Sequence, residues 1–579
     1  MIRRIAPAVL LGAALSLIAV RMSQSQEPPL ARLDRELEAI AALPGEPSQR
    51  QAAGVTRQGL LLHTLESSVP LDGPERRVVL IGGLDGDQRS VDAVLAAVRW
   101  FKTAAPAALR RRLSLSVLPC GNPEGLRAGR PENGTGQRVD RGYPPADGFF
   151  LDPAAPERRY IWRWVPFQGP DRVIEVRADR PGEAPAGRAP DSLIAALAAE
   201  RSGGERAPGL GPAAGAVIAA GDGTLPAELP KELERALSGP DSGLHSALRT
   251  RLARAPLDVA AQLAMQYPRS PAIGYIPATA WSATLRLSDL RREPRLRERV
   301  LEAMRPYLAG ERPALTGPPD VVKLAGHIVF ADLAVMPEVS EEARASARRI
   351  ALDAAVRYRP ETATDPARYG RYWTDDMYMQ CCLLGRAGAH LGDSASLELL
   401  GRSLRLYAAR LQRPSGLFVH APEGPHCWGR GNGFASLGLM EGLTALPDTH
   451  PERAGILAAY RLQMAALRRH QTPEGTWRQV VDRPGSYREI TATAMNLTAM
   501  ARGVRLGWLS PEYREVARRA WAGLSARIAD DGALTDVCTG TGSGPTLRYY
   551  YDRAAIAGFD DRGGAMSLLA AVEVAQLPR

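Results

Sequence analysis

The spacing of apolar residues changes part-way along this chain. Up to about residue 240 the strongest apolar stretches are short and unbroken. They are Arg77-Val78-Val79-Leu80-Ile81 ending in Gly82-Gly83, Leu113 to Leu118 ending at Cys120-Gly121-Asn122-Pro123, and Val173 to Val176. Such runs, rich in β-branched residues and stopped by Gly or Pro, predict buried strands. Ala216 to Ala219 reads as a last strand closing the sheet. Leu33 to Ala42 is polar and amphipathic, and Val91 to Phe101 has helical spacing. Strands alternating with helices predict an α/β domain with a mostly parallel sheet. Residues 179–240, rich in Pro, Gly and Ala, read as loops and a boundary.

From residue 285 the period becomes helical. Apolar residues recur three and four apart in Leu287–Leu308, Val321–Val335, Ser340–Tyr358, Met377–Leu391, Ala395–Leu411, Ser436–Leu446, Pro451–His470, Thr491–Leu506, Pro511–Ile528 and Gly564–Ala575. Gly- and Pro-rich turns separate them. Helices in such pairs predict an all-α toroid of hairpins, an (α/α)-barrel with a bowl at one end. The chain is thus expected to be multidomain. Residues 1–26 are a signal peptide or anchor, 27–240 an α/β domain, 241–284 a linker with first helices, and 285–579 the barrel.

At the N-terminus, Arg3 and Arg4 precede the apolar stretch Ala8 to Val20, which is too short for a stop-transfer helix. This predicts export to the periplasm or exterior. No small-x-small cleavage site stands out, so a cleaved form and a retained anchor both stay open. No other stretch is long and apolar enough to cross a membrane. The net charge is +10. The Arg are interleaved with Asp and Glu along helical faces, the pattern of solvated surfaces and not of a nucleic-acid patch. The five cysteines, Cys120, Cys381, Cys382, Cys427 and Cys538, are odd in number and scattered. That argues for buried thiols, although a Cys427–Cys538 bridge stays open.

Chemistry concentrates in the segments between the C-terminal helices. Trp373-Thr374-Asp375-Asp376-Met377-Tyr378 sets two carboxylates between aromatics at the start of a helical run. Gly416 to His420, His426 to Phe434, Gly475 to Pro484 with Trp477, Tyr487 to Glu489, and Thr539 to Gly542 followed by Tyr549 to Tyr551 carry more of the same mixture. Aromatic faces stack on sugar rings, and guanidinium forks take carboxylates, so the mixture points to an acidic carbohydrate.

Two resemblances sharpen this reading. Gly82-Gly83-Leu84-Asp85-Gly86-Asp87-Gln88, Asn122-Pro123-Glu124-Gly125 and Val139-Asp140-Arg141-Gly142-Tyr143-Pro144 resemble segments of zinc metallocarboxypeptidases. The ligand positions, however, hold Asp85, Gln88 and Arg177-Ala178. Catalytic zinc needs a His/carboxylate set, so this domain is expected to hold no metal. In the C-terminal half, Trp-x-Asp-x-x-Tyr-Met, Gly-Leu-x-x-His, Trp-x-Arg-Gly-x-Gly and Gly-x-Trp-x-Gln-Val-x-Asp-x-Pro resemble glycoside hydrolase families 88 and 105, the unsaturated uronyl hydrolases.

That second resemblance implies an (α/α)6 barrel. It also implies hydration of the C4–C5 double bond of a terminal unsaturated uronate, with no cofactor. The family's acid/base falls on Asp375, and Asp376 ranks second. A second family aspartate falls on Asp320, where it would hold sugar hydroxyls and act on Asp375 by like-charge proximity. The residues alone support an N-cap at Asp320 equally well. His420 and Arg430 are candidates for hydroxyls and the carboxylate, and Trp373, Trp428, Trp477 and Tyr378 for the walls. The expected partner is an acidic oligosaccharide, not nucleic acid. The competing readings are a zinc-dependent peptidase or deacylase with a helical accessory domain, and a non-catalytic glycan-binding protein.

Overall fold

A computed structural model describes residues 28–45, 47–145, 152, 154–178, 189–199, 209–362 and 364–578. The expected signal at residues 1–26 lies outside the described residues, as do residues 179–188 and 200–208 of the Pro- and Gly-rich stretch.

The N-terminal part is built on one sheet of six strands: β1 (Ser48–Val55), β2 (Leu61–Ser67), β3 (Arg76–Ile81), β4 (Leu113–Leu118), β5 (Arg172–Arg177) and β6 (Ala214–Ala219). Their order is β1-β2-β4-β3-β5-β6. The four strands expected from the apolar runs pair in parallel. Alternate residues of β3 serve opposite faces, as the pleat requires. Val78 and Leu80 meet the helices Pro29–Ala41 and Gln88–Thr103, whereas Val79 and Ile81 meet the helix Pro156–Phe167. The hairpin β1–β2 is antiparallel and extends the sheet past β4. Its polar, half-buried strands lack the unbroken apolar run that marks the parallel ones, so the sequence does not announce it.

The C-terminal part is helical, and burial sorts its helices into two kinds. The helices Tyr275–Arg291, Thr374–Ala389, Gly429–Ala445, Ile490–Arg505 and Asp561–Val574 are buried on nearly every side. Others, such as Ser394–Leu411 and Arg453–Arg469, bury one stripe and show solvent the rest. Each fully buried helix packs on the next: Thr374–Ala389 on Gly429–Ala445, that on Ile490–Arg505, that on Asp561–Val574, and that on Tyr275–Arg291. The approach is close enough to need glycine. A Cβ on Gly438 would lie 2.7 Å from the backbone carbon and oxygen of Met377.

The structure moves two expectations and closes one alternative. The helix Tyr275–Arg291 runs straight through the expected boundary at residue 285, and Pro256–Gln266 packs beside it on the last helix. A helix buried all round has no polar face, so its period is weak. Residues 429–434, read as loop, form the first turns of a helix. All five cysteines are buried free thiols, so no Cys427–Cys538 bridge forms.

Candidate active site

The site forms where the Thr374–Ala389 helix begins. Asp376 turns back on the chain before it. Its Oδ2 accepts hydrogen bonds from the amides of Arg371 (2.6 Å) and Trp373 (3.1 Å) and from the Tyr407 hydroxyl (2.9 Å). This fixes a turn in which Tyr372 takes a left-handed φ of 58°, a conformation costing a non-glycine residue ~1–3 kcal/mol. Burial pushes the Asp376 carboxyl up to about 6, partly offset by the amides it accepts from. Asp376 is thus a support for the turn, which presents Trp373 and leaves Asp375 pointing the other way.

Asp375 is fully buried, and its Oδ2 lies 3.1 Å from Nε2 of His420. His420 is fully buried too, with Nδ1 2.9 Å from the Tyr550 hydroxyl. Its ring stands between Trp373, at 5.2 Å, and Trp428, at 4.5 Å. The segment bearing His420 is tied down twice. The Thr374 amide donates to the His420 carbonyl (2.9 Å), and Asn432 bonds both the amide and the carbonyl of Phe418 (2.9 Å each). Asn432 can do so because Gly431 and Gly433 allow close packing. A Cβ there would meet Thr374 Oγ1 at 2.7 Å and Met495 Cβ at 2.8 Å.

Arg430 lies one helical residue before Gly431, with its guanidinium 4.8 Å from the Trp428 ring centre. It donates to the carbonyls of Cys538 (2.7 Å) and Gly540, and to Thr541 Oγ1 at 3.4 Å. Four buried polar atoms here have no hydrogen-bond partner among the described residues: Asp375 Oδ1, Asp376 Oδ1, Arg430 Nε and Thr374 Oγ1. Buried polar groups are nearly always paired, and an unmade bond costs ~1–3 kcal/mol, so a cluster of four marks a place built for something else.

Five of the residues singled out by sequence therefore assemble: Asp375, His420, Trp373, Trp428 and Arg430. Asp376 adjoins them as support. Three others are seen in other contacts. Trp477 is wholly buried with its indole N–H on the Leu467 carbonyl (2.8 Å), so it is a core residue without a free face. Tyr378 is buried against Phe434, its hydroxyl 2.9 Å from Thr279 Oγ1. Asp320 caps the helix Val321–Ala325 through the Lys323 amide (2.9 Å) and pairs with the Lys323 ammonium at 3.6 Å. Its side chain is 49% exposed, and no hydrogen bond joins it to Asp375 among the described residues.

Sequence reasoning passed over four neighbours of the site. Glu423 accepts from the Trp373 indole at 2.6 Å, the guanidinium of Arg371 covers that ring at 3.9 Å, and Arg553 lies 4.6 Å from the Trp428 ring centre. Tyr550 is the fourth. Its only signal was its place in the aromatic run Tyr549-Tyr550-Tyr551.

In the N-terminal domain the zinc-like positions do not fit a metal. Asp85 accepts from Ser90 Oγ (2.7 Å), the Ala178 amide (2.9 Å) and the Asp87 amide (3.1 Å). Gln88 bonds Asp92, and the Arg177 guanidinium pairs with Glu175 and Asp140. A fixed cation stands at the third position, and a neutral amide at the second. Elsewhere, Asp171, Asp241 and His245 approach one another, but Arg76 pairs with both carboxylates.

The comparisons with known proteins bear on the helical half. Residues 362–577 match the family model described as Glycosyl Hydrolase Family 88. The unsaturated rhamnogalacturonyl hydrolase YesR of Bacillus subtilis is 28% identical over 177 residues, 29% of this chain and 50% of that protein. An unsaturated 3S-rhamnoglycuronyl hydrolase of an Alteromonas species is 27% identical over 113 residues, 19% of this chain and 27% of that protein. The chain thus spans half or less of the length of these relatives. Among solved structures, a possible member of the GH105 family from Salmonella enterica serovar Paratyphi A aligns with a TM-score of 0.50 at 18% identity. The alignment covers 58% of this chain and 96% of that one, a likeness of fold.

Proposed function

We propose that this chain, whose C-terminal half carries a Glycosyl Hydrolase Family 88 domain, removes a terminal 4,5-unsaturated uronic acid from lyase-generated acidic oligosaccharides. The observation that carries the reading is Asp375: a buried carboxyl with one oxygen held by His420, whose ring lies beside Trp373 and Trp428, and the other without a hydrogen-bond partner among the described residues. In this reading Asp375 gives its proton to C4 of the vinyl ether. It then takes one from a water that adds to C5, and the hemiketal so formed opens to release the neighbouring sugar. One carboxyl serves as acid and then as base. Trp373 and Trp428 form the walls, and Arg430 takes the uronate carboxylate as a bidentate partner.

The guanidinium of Arg430 already donates to the carbonyls of Cys538 and Gly540, so the sugar has to displace them. The segment Thr539-Gly540-Thr541-Gly542-Ser543-Gly544, with glycine at every second position, is the part of the cover with the backbone freedom to lift. We also read the helical half as a closed (α/α)6 barrel. Its support is that Tyr275–Arg291, which meets the last helix, also meets Val321–Ala325 and Ile328–Leu333, and that Val321–Ala325 meets Thr374–Ala389. The N-terminal domain has no catalytic part in this reading, because its zinc-like positions hold Asp85, Gln88 and Arg177.

The test follows loss of the ultraviolet absorbance of the conjugated double bond on unsaturated oligosaccharides. Asp375→Asn is expected to slow turnover by about 10² to 10⁴ with the fold intact, the scale of acid–base catalysis. Unchanged turnover in that variant rejects the assignment.

A further inference from the structure

His420 holds Asp375 through Nε2, and Tyr550 in turn holds His420 through Nδ1. A neutral imidazole has one N–H and one acceptor nitrogen, so the partner of one nitrogen decides what the other can do. The carboxylate form of Asp375 can only accept at Nε2, whereas the Tyr550 hydroxyl can donate at Nδ1. That leaves the phenolic proton to point at Nδ1. The ring proton must then sit on Nε2, where it donates to Asp375. Lose the phenol and both tautomers become accessible, one of which turns a lone pair toward the carboxylate.

Tyr550 does not hold itself in place. It sits on the helix Leu547–Tyr551, a single turn far below the length at which a helix is stable alone. Two anchors of that helix come from the other domain. Arg548 donates to the Thr56 carbonyl at 3.3 Å, and Arg57 pairs with Asp552 at 3.1 Å. Arg548 also bonds Asp552 at 2.9 Å, which joins the two anchors. Thr56 and Arg57 follow directly after β1, in the turn to β2. Tyr550 itself is buried in an apolar cluster with Val55, Leu62 and Tyr160 of the N-terminal domain.

We propose that Tyr550 is a positioning residue for Asp375, acting through His420, and that the β1–β2 turn of the N-terminal domain holds it there. The inference rests on the hydrolase reading and gives the N-terminal domain a task within it.

The test uses the full chain and the variants Tyr550→Phe and Arg57→Ala. Two readouts are taken: kcat and KM on unsaturated oligosaccharide, and the nitrogen chemical shifts of His420, assigned by comparison with His420→Gln. The charged groups around the ring (Asp375, Glu423, Arg430 and Arg553) are the same in both variants, so a change in the ring reports the phenol. Tyr550→Phe is expected to lower kcat by about 10- to 100-fold, the scale of a misaligned reacting group, with little change in KM. The His420 spectrum should pass from the Nε2–H tautomer to a mixture. Arg57→Ala should move both readouts the same way by less.

Wild-type kcat together with an unshifted Nε2–H tautomer in Tyr550→Phe overturns the proposal. If only Arg57→Ala is silent, the anchoring half of it is wrong. If the wild-type chain leaves unsaturated substrate untouched, the hydrolase reading fails. The tautomer comparison still decides the role of Tyr550.

Discussion

Asp375 and Asp376 are adjacent and both buried, yet they bond different partners. Asp376 faces three donors from its own turn and from Tyr407, all on Oδ2, while Asp375 faces His420; each leaves its Oδ1 without a hydrogen-bond partner among the described residues. The pH dependence of stability separates them. Burial raises the Asp376 carboxyl from its ordinary 3.8 to about 6, so the folded chain binds that proton more tightly than the unfolded one. Its contribution to stability is therefore full below about pH 4 and is lost as pH rises through about 6. Relative to Asp376→Asn, the wild-type chain should lose up to ~3 kcal/mol of unfolding free energy across that window. Denaturant titrations of both proteins from pH 4 to 7 check this, and a constant difference would contradict it.

Helix starts are the elements that make the site, and one of them breaks ordinary propensity. Gly429-Arg430-Gly431-Asn432-Gly433 opens a helix although each glycine costs it ~1 kcal/mol relative to alanine. The loss is offset by contact: the glycines let the helix lie against Thr374 and Met495 and put Asn432 where it grips Phe418. Gly438 further along does the same against the backbone of Met377, two residues beyond Asp375. Gly438→Ala should therefore cost ~1–3 kcal/mol, as overpacking does, despite the better propensity of alanine. It should also slow turnover by shifting the helix that carries Asp375. A melting temperature equal to or above wild type would show that the helices are not in hard contact there.

The two halves of the molecule meet at the end of the helical half that carries the site. Trp428, Val480, Tyr487, Cys538, Tyr550 and Ala555 share one apolar cluster with residues of the sheet and of the helix Pro156–Phe167. Around it run buried ion pairs. Both oxygens of Glu66 accept from Arg488 (2.6 and 2.7 Å), Glu66 also accepts from the Trp164 indole (2.9 Å), and Arg488 continues to Glu474 (2.8 Å). Glu66→Ala should cost ~1–3 kcal/mol, because it strands a buried indole N–H and leaves the Arg488 guanidinium with Glu474 as its one carboxylate. Unfolding titrations read this directly. The helical fragment 241–579 alone would expose that cluster, so it should aggregate or lose turnover, as size-exclusion chromatography and the absorbance assay would show. A monodisperse, fully active fragment would make the N-terminal domain dispensable.

Much of this was legible in the order of residues. Unbroken apolar runs gave the four parallel strands, because strands buried on both faces need no polar side. Three- and four-residue spacing gave the outer helices, and the aromatic-carboxylate segments gave Asp375, His420 and Arg430. The rest depended on packing. Trp477 carries the same kind of sequence context as Trp373, yet one lies in the core and the other borders the site, because depth is a property of the assembled helices. Asp320 sits in a segment that suits a cap and a ligand equally, and the structure shows it in the cap. Tyr550 reaches His420 across 130 residues of sequence, and the turn that anchors it lies further off still. Local pattern can name which side chains are able to hold a proton, but bonds between distant segments decide which of them is held in position to use it.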